Sequence, residues 1–123
     1  MLNFDRRPRK RSWLASAGGL LAAAAIGLSA YASHGVAEPL AQSHLQTAAL
    51  YAFGHGLALA ALARGSERLL GRAALALLLL GTLLFAGSLA GNALAHWPTR
   101  LAPVGGTTLM LGWVLWALDA LRR

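Results

Sequence analysis

Two polar series set at four-residue intervals hold most of the chemistry open to this chain. Thr47, Tyr51 and His55 form one, and Ser88, Asn92 and His96 the other. Residues four apart on a helix share a face, so each series makes a polar stripe. A neutral imidazole donates from one ring nitrogen and accepts at the other. His55 beside Tyr51, Asn92 or a trapped water could therefore move a proton or hold a small ligand. His34, His44 and His96 could ligate Zn²⁺ or Cu²⁺, but their spacing matches no compact ligand motif, and neither metal nor cofactor is expected. No Ser-His-Asp set, acid pair or phosphate loop has a workable spacing, so no enzyme is expected. Pro103-Val104-Gly105-Gly106 could offer backbone N–H groups to an anion at a helix start. Tight packing accounts for the same residues and is preferred.

The elements that must position these groups are four apolar runs, over residues 13–32, 45–63, 73–95 and 101–121. A helix of roughly 20 such residues crosses the ~30 Å hydrocarbon layer of a bilayer. The chain has 123 residues, 57% hydrophobic and 12% charged, which is too apolar for a typical soluble domain. Four spans leave no room for a soluble catalytic module. The basic residues cluster at Arg6, Arg7, Arg9, Lys10 and Arg11, at Arg64, Arg68 and Arg72, and at Arg122 and Arg123, with Arg100 alone elsewhere. Placing every cluster on one side satisfies the positive-inside rule, with both termini cytoplasmic. The net charge of +7 then points to anionic lipid at the basic N-terminus and away from nucleic acid. There are no cysteines, which excludes disulfide and thiolate chemistry. Ala30-Tyr31-Ala32 before Ser33 has the form of a signal cleavage site. The apolar stretch from Trp13 exceeds the usual signal core, so the first span is expected to be retained.

The expected fold is all-α, an up-down bundle of four transmembrane helices. The spans fall at about 13–33, 44–63, 71–95 and 101–121, with a link from 33 to about 43. They make one domain, 12–123, behind a basic cytoplasmic tail, 1–11. Small residues four apart let helix backbones approach closely in lipid. Such ridges occur at Ala15, Gly19, Ala23 and Gly27, at Ala48, Ala52, Gly56 and Ala60, and in the GxxxG pattern of Gly87 and Gly91. Gly105, Gly106 and Gly112 are expected to pack the fourth helix. Counting 1.5 Å per residue sets Thr47 level with His96 and His55 near Ser88, roughly 12–16 Å below the outer surface. Tyr31 and His34 finish the first helix at that end, and Thr107 and Thr108 begin the fourth. The expected polar patch is therefore Tyr31, His34, Thr47, Tyr51, His55, Ser88, Asn92 and Thr108, in the outer half. Intramembrane ionisable groups can mark ligand or proton paths. With no carboxylate there to complete a relay, interhelical hydrogen bonding is the preferred reading. Asp119 reads as an interfacial charge paired with the terminal arginines.

Several segments carry a family resemblance. Ser29-Ala30-Tyr31-Ala32-Ser33-His34-Gly35 resembles a Gly-Ala-small-Gly-Ala-His-Gly element. Thr47-Ala48-Ala49-Leu50-Tyr51 with His55-Gly56-Leu57-Ala58 is similar to Thr-Ala-x-x-Tyr-x-x-x-His-x-Leu-Ala. Residues Gly81 to Leu89 resemble Gly-x-x-Leu-Phe-Ser-Gly-Ser-Leu, and Pro103-Val104-Gly105-Gly106 with Gly112-Trp113 resembles a Pro-Ile/Val-Gly-Gly ending. In order from about Ser12 to Leu121, these segments resemble the bacterial inner-membrane group known as domain-of-unknown-function family 423, or YgdD-like proteins. The resemblance implies a four-span membrane protein and supplies no activity, substrate or cofactor. It carries His34, Tyr51, His55, Gly87, Ser88, Pro103, Gly105, Gly106 and Trp113 onto motif positions. The chain departs from the pattern at Ala86, Ala90 and Ala102, which removes polar groups from the patch.

The functional expectation is an uncharacterised multi-pass protein of the bacterial inner membrane, non-catalytic and with a structural or interaction role. The alternative is a small transport or proton-linked protein that binds a ligand around His55. Expected partners are the lipid bilayer and either further copies of the chain or another membrane protein.

Overall fold

The computed structural model describes residues 11–122. Of the basic tail, all but Arg11 lies outside the described residues, as does Arg123. Four helices follow in order: α1 (Trp13–Gly35), α2 (Pro39–Leu62), α3 (Leu69–Ala95) and α4 (Leu101–Leu121), with a 3-10 turn at Ala63–Gly65. Each of the four is long and apolar enough to cross a membrane.

Local chemistry sets the helix ends. Ser12 caps α1, its hydroxyl accepting from the Ala15 N–H at 3.1 Å. The link after α1 is shorter than expected. It comprises Val36 to Glu38 and not residues 33–43, because Pro39 starts α2 at once and Glu38 caps it. The Glu38 carboxylate accepts from the N–H groups of Ala41 at 2.6 Å and Leu40 at 3.0 Å. Those bonds, Ala41 first, hold its pKa below the usual glutamate range. A lowered folded pKa stabilises the cap above the unfolded value of about 4.3 and loses that effect as pH falls through the lower folded value. Amide exchange at Leu40 and Ala41, normalised for intrinsic rate, should therefore rise in acid. Glu38→Gln should remove the pH dependence, and persistence of the dependence in that variant would refute the assignment.

At the same end of the molecule, α3 stops at His96, the one described non-glycine residue with positive φ, at 56°. The His96 N–H donates to Asn92 O at 3.0 Å and the Trp97 N–H to Gly91 O at 3.2 Å. The His96 bond closes the last turn as an αL stop. The Trp97 ring folds back onto Gly91, where any Cβ would collide with it. Gly91 therefore seats an indole and does not pack a neighbouring helix, which corrects its expected role.

The helices form two antiparallel hairpins, α1–α2 and α3–α4, joined along α2 and α3, while α1 and α4 share no packing seam. Each hairpin closes on a reciprocal glycine pair. A Cβ on Gly18 would lie 2.5 Å from Gly56 O, and one on Gly56 would lie 2.6 Å from Gly18 O. A Cβ on Gly81 would meet Gly105 O at 2.9 Å, and one on Gly105 would meet Gly81 O at 2.8 Å. Lipid is as apolar as the side chains, so helices associate by such close packing and by hydrogen bonds. A Cβ on Gly112 would press on Leu78, and one on Gly106 would meet only the Phe85 ring, at 3.8 Å.

The expected small-residue ridge on α1 faces the wrong way. A Cβ on Gly19, Gly27 or Gly87 would meet nothing within 4 Å. The buried positions of α1 are Gly18, Ala25 and Ala32, spaced by seven. A four-residue ridge and this seven-residue seam differ by about one position around the helix, which composition does not distinguish. In the half nearest the α1–α2 and α3–α4 links the core is made of small residues, Ala25, Ala48, Ala52, Ala86 and Ala102 with Leu89. The other half is filled by Leu59, Leu75, Leu78 and Leu109. Alanine packing brings backbones close enough for short polar side chains to bridge them, and the hydrogen bonds between helices collect there.

Candidate functional site

The expected single patch is three separate hydrogen-bonded groups. The deepest is centred on His55. Trp113 Nε1 donates to His55 Nε2 at 3.0 Å. His55 Nδ1 lies 2.8 Å from the backbone O of Tyr51, one turn earlier. An indole N–H only donates, so Nε2 must be the accepting nitrogen. Nδ1 then carries the proton and donates it to the Tyr51 carbonyl. Both ring nitrogens are engaged, which fixes one tautomer. The Tyr51 ring runs nearly parallel to it, 7° off with centroids 6.0 Å apart. Tyr51 in turn packs on Phe85 at 4.6 Å. The cluster thus pins α2, α3 and α4 together near mid-helix. Proton exchange between His55 and the Tyr51 phenol, or with Asn92, is not what the geometry provides.

The second group lies at the end of α2 and α3 nearest the two hairpin links. Asn92 Nδ2 donates to Trp97 O at 2.8 Å, which turns Oδ1 toward His44. His44 Nδ1 lies 2.9 Å from that oxygen and is therefore the donor. His44, not Thr47, is the α2 residue level with this turn. The expected register paired 47 with 96, whereas the structure pairs 44 with 92, a slip of seven residues or about 10 Å. The cause is the early start of α2 at Pro39, which lengthens that helix at its N-terminal end. Ser88 consequently lies well above His55, with its hydroxyl reaching Pro98 O at 3.5 Å.

The third group, missed in the sequence, joins α1 to α2. Ser29 Oγ donates to Gln46 Oε1 at 2.8 Å. Gln46 Nε2 donates to Ser33 Oγ at 2.8 Å and to Ser29 O at 3.2 Å. One turn higher, Gln42 Nε2 donates to Ala32 O at 2.9 Å. Ser29, Ser33 and Gln46 also border an open groove of about 490 Å³ between the two helices, floored by Ala25, Ala49 and Phe53. The signal that could have found this group is the pair of glutamines, Gln42 and Gln46, four apart in an otherwise apolar run.

Several expected members stand outside these groups. Thr107 and Thr108 donate back to Pro103 O and Val104 O of their own helix, both at 2.8 Å. Tyr31 is half exposed and covers Gly35. His34 and His96 are exposed, and Thr47 is only partly buried on the α2 stripe. No three His, Asp or Glu side chains converge on a metal-sized site among the described residues. Pro103 to Gly106 bury Gly105 against the Phe85 backbone, so this turn serves packing.

Residues 28–106 match the family described as Protein of unknown function (DUF423), and the chain belongs to that family. The match includes the three hydrogen-bonded groups except Trp113, which lies beyond it. No solved structure matches the chain.

Proposed function

We propose that this DUF423 protein is a non-catalytic component of the bacterial inner membrane whose interior polar residues fasten helices together. On this reading it acts through its outer helix surfaces, on lipid or on another membrane protein. The observation that carries the reading is the His55 ring, with one nitrogen bonded to the Tyr51 carbonyl and the other to the Trp113 indole. A histidine so bonded has no free nitrogen for a ligand or a travelling proton. The termini are assigned to the cytoplasm from charge. Arg11, Arg64, Arg68, Arg72 and Arg122 lie at one end of the helices and Arg100 at the other.

Reconstituted vesicles carrying a trapped pH dye test this directly. His55→Ala and Trp113→Phe should leave proton leakage at the wild-type level and lower thermal stability by about 1 kcal/mol each, the scale of an interhelical bond in lipid. Nitrogen-15 spectra of the wild type should show His55 neutral and protonated at Nδ1. A pH-dependent flux that disappears in His55→Ala would overturn the proposal in favour of a proton-linked transporter.

A further inference from the structure

The basic end of the molecule holds a carboxylate that no described residue satisfies. Asp119 Oδ1 is buried and has no hydrogen-bond partner. Arg122 makes no ion pair with it, and Arg123, the other partner the sequence suggested, lies outside the described residues. Its Oδ2 lies over the first turn of α3, 2.7 Å from where a Cβ on Gly71 would stand. Outside the α4 ladder, the bond to this residue among the described residues runs from the Arg122 backbone N–H to the Asp119 carbonyl, at 3.1 Å. A buried acceptor left unmade is costly and calls for a donor from elsewhere. Asp119 also borders a cleft of about 370 Å³ whose wall includes Glu67, Arg68, Trp116 and Arg122. Two acidic and two basic residues thus line one small space at the ends of the spans.

We propose that this cleft binds a phosphoethanolamine group, the head of phosphatidylethanolamine at the membrane surface. Its ammonium bonds the Asp119 carboxylate and its phosphate bonds Arg68 and Arg122. The inference rests on the reading of this end as a bilayer surface. A metal cation would meet two guanidiniums, and an anionic head would meet two carboxylates. A zwitterion satisfies both signs, and the cleft's own charges sum to zero. Choline is the near relative that fails, because a quaternary ammonium has no N–H to give the orphan acceptor. Guanidinium and phosphate pair bidentately, which fixes the head with its amine toward α3.

Native mass spectrometry of the purified full chain tests the idea by titration with phosphatidylethanolamine, phosphatidylcholine and phosphatidylglycerol in turn. Phosphatidylethanolamine should be retained at about tenfold lower concentration than the other two, the worth of one charge-assisted hydrogen bond. Asp119→Asn should erase that preference. Arg68→Gln should weaken it as well, and Arg68 is an exposed residue that makes no side-chain cap bond, so this variant reports even where Asp119→Asn fails to fold. Displacement by millimolar phosphoethanolamine would support the site and assign it to the free head group, whereas no displacement beside a retained preference assigns it to the lipid. Equal retention of phosphatidylcholine or phosphatidylglycerol, or a preference unchanged in both variants, would overturn it. Labelling of Ser66→Cys from the outer side would instead refute the assigned topology and leave the lipid preference standing.

Discussion

Leucine in place of Gly56 should separate α1 from α2, whereas leucine in place of Gly19 should change little. At Gly56 the added Cβ would meet Gly18 O at 2.6 Å and Ala22 N at 2.9 Å. Those atoms belong to helix backbones and cannot rotate aside as a side-chain tip can. Overpacking a core costs typically about 1–3 kcal/mol when side chains can shift, so a clash with fixed backbone should reach about 3 kcal/mol or more. Close approach is also the attraction itself here, since lipid offers no hydrophobic drive between helices. Pushing the seam apart would lengthen the bonds from Gln46 to α1 along with it. At Gly19 the same side chain enters open space toward lipid, and the change should stay within about 0.5 kcal/mol. Thermal melting in detergent, followed by helical circular dichroism and gel filtration, compares the two. A Gly56→Leu protein that melts with the wild type would refute the glycine seam. A large loss at Gly19→Leu would instead mean that this face is covered, by another copy or another protein.

The architecture was legible because its causes are local and repeated. Length and hydropathy of each run give the crossings, and Glu38-Pro39 and His96-Trp97-Pro98 mark turns without knowledge of neighbours. Which face each helix buries was not legible. Small residues nearly encircle α1, so Gly18 and Gly19 look alike until Gly56 is placed opposite one of them. Register failed for a related reason. Glu38-Pro39 reads as a turn, but the hydropathy of α2 sets in near residue 44, and that five-residue difference at one end becomes a two-turn slip opposite α3. His55 and Trp113 were each noticed, yet 58 positions separate them. Only the fold shows that the indole fills the nitrogen a ligand would need.

Gln46→Leu should be the most costly single loss among the interhelical hydrogen bonds. It removes three at once: the bond from Ser29 Oγ and those to Ser33 Oγ and Ser29 O. Bonds between helices in lipid average about 0.6 kcal/mol, so the sum is about 2 kcal/mol. A competing term has the opposite sign, because leucine is more soluble in hydrocarbon than an amide. Position decides between them. Gln46 is partly buried between α1 and α2, so leucine gains little contact with lipid there, while Ser29 and Ser33 lose their partner beside the open groove. Ser29 can recover part of the loss by bonding its own helix, as Thr82 does to Leu78 O at 2.7 Å. Ser33→Ala removes one of the three bonds and should lower stability by about a third as much. A double-mutant cycle on melting free energies separates the cases. Coupling between Gln46→Leu and Ser33→Ala would locate the fastening at that bond, and strict additivity of the two losses would refute it. Fastening at this depth leaves the lower half of α1 packed through Gly18 on Gly56, so Gln46→Leu alone should release only the upper half of the hairpin that Gly56→Leu opens throughout.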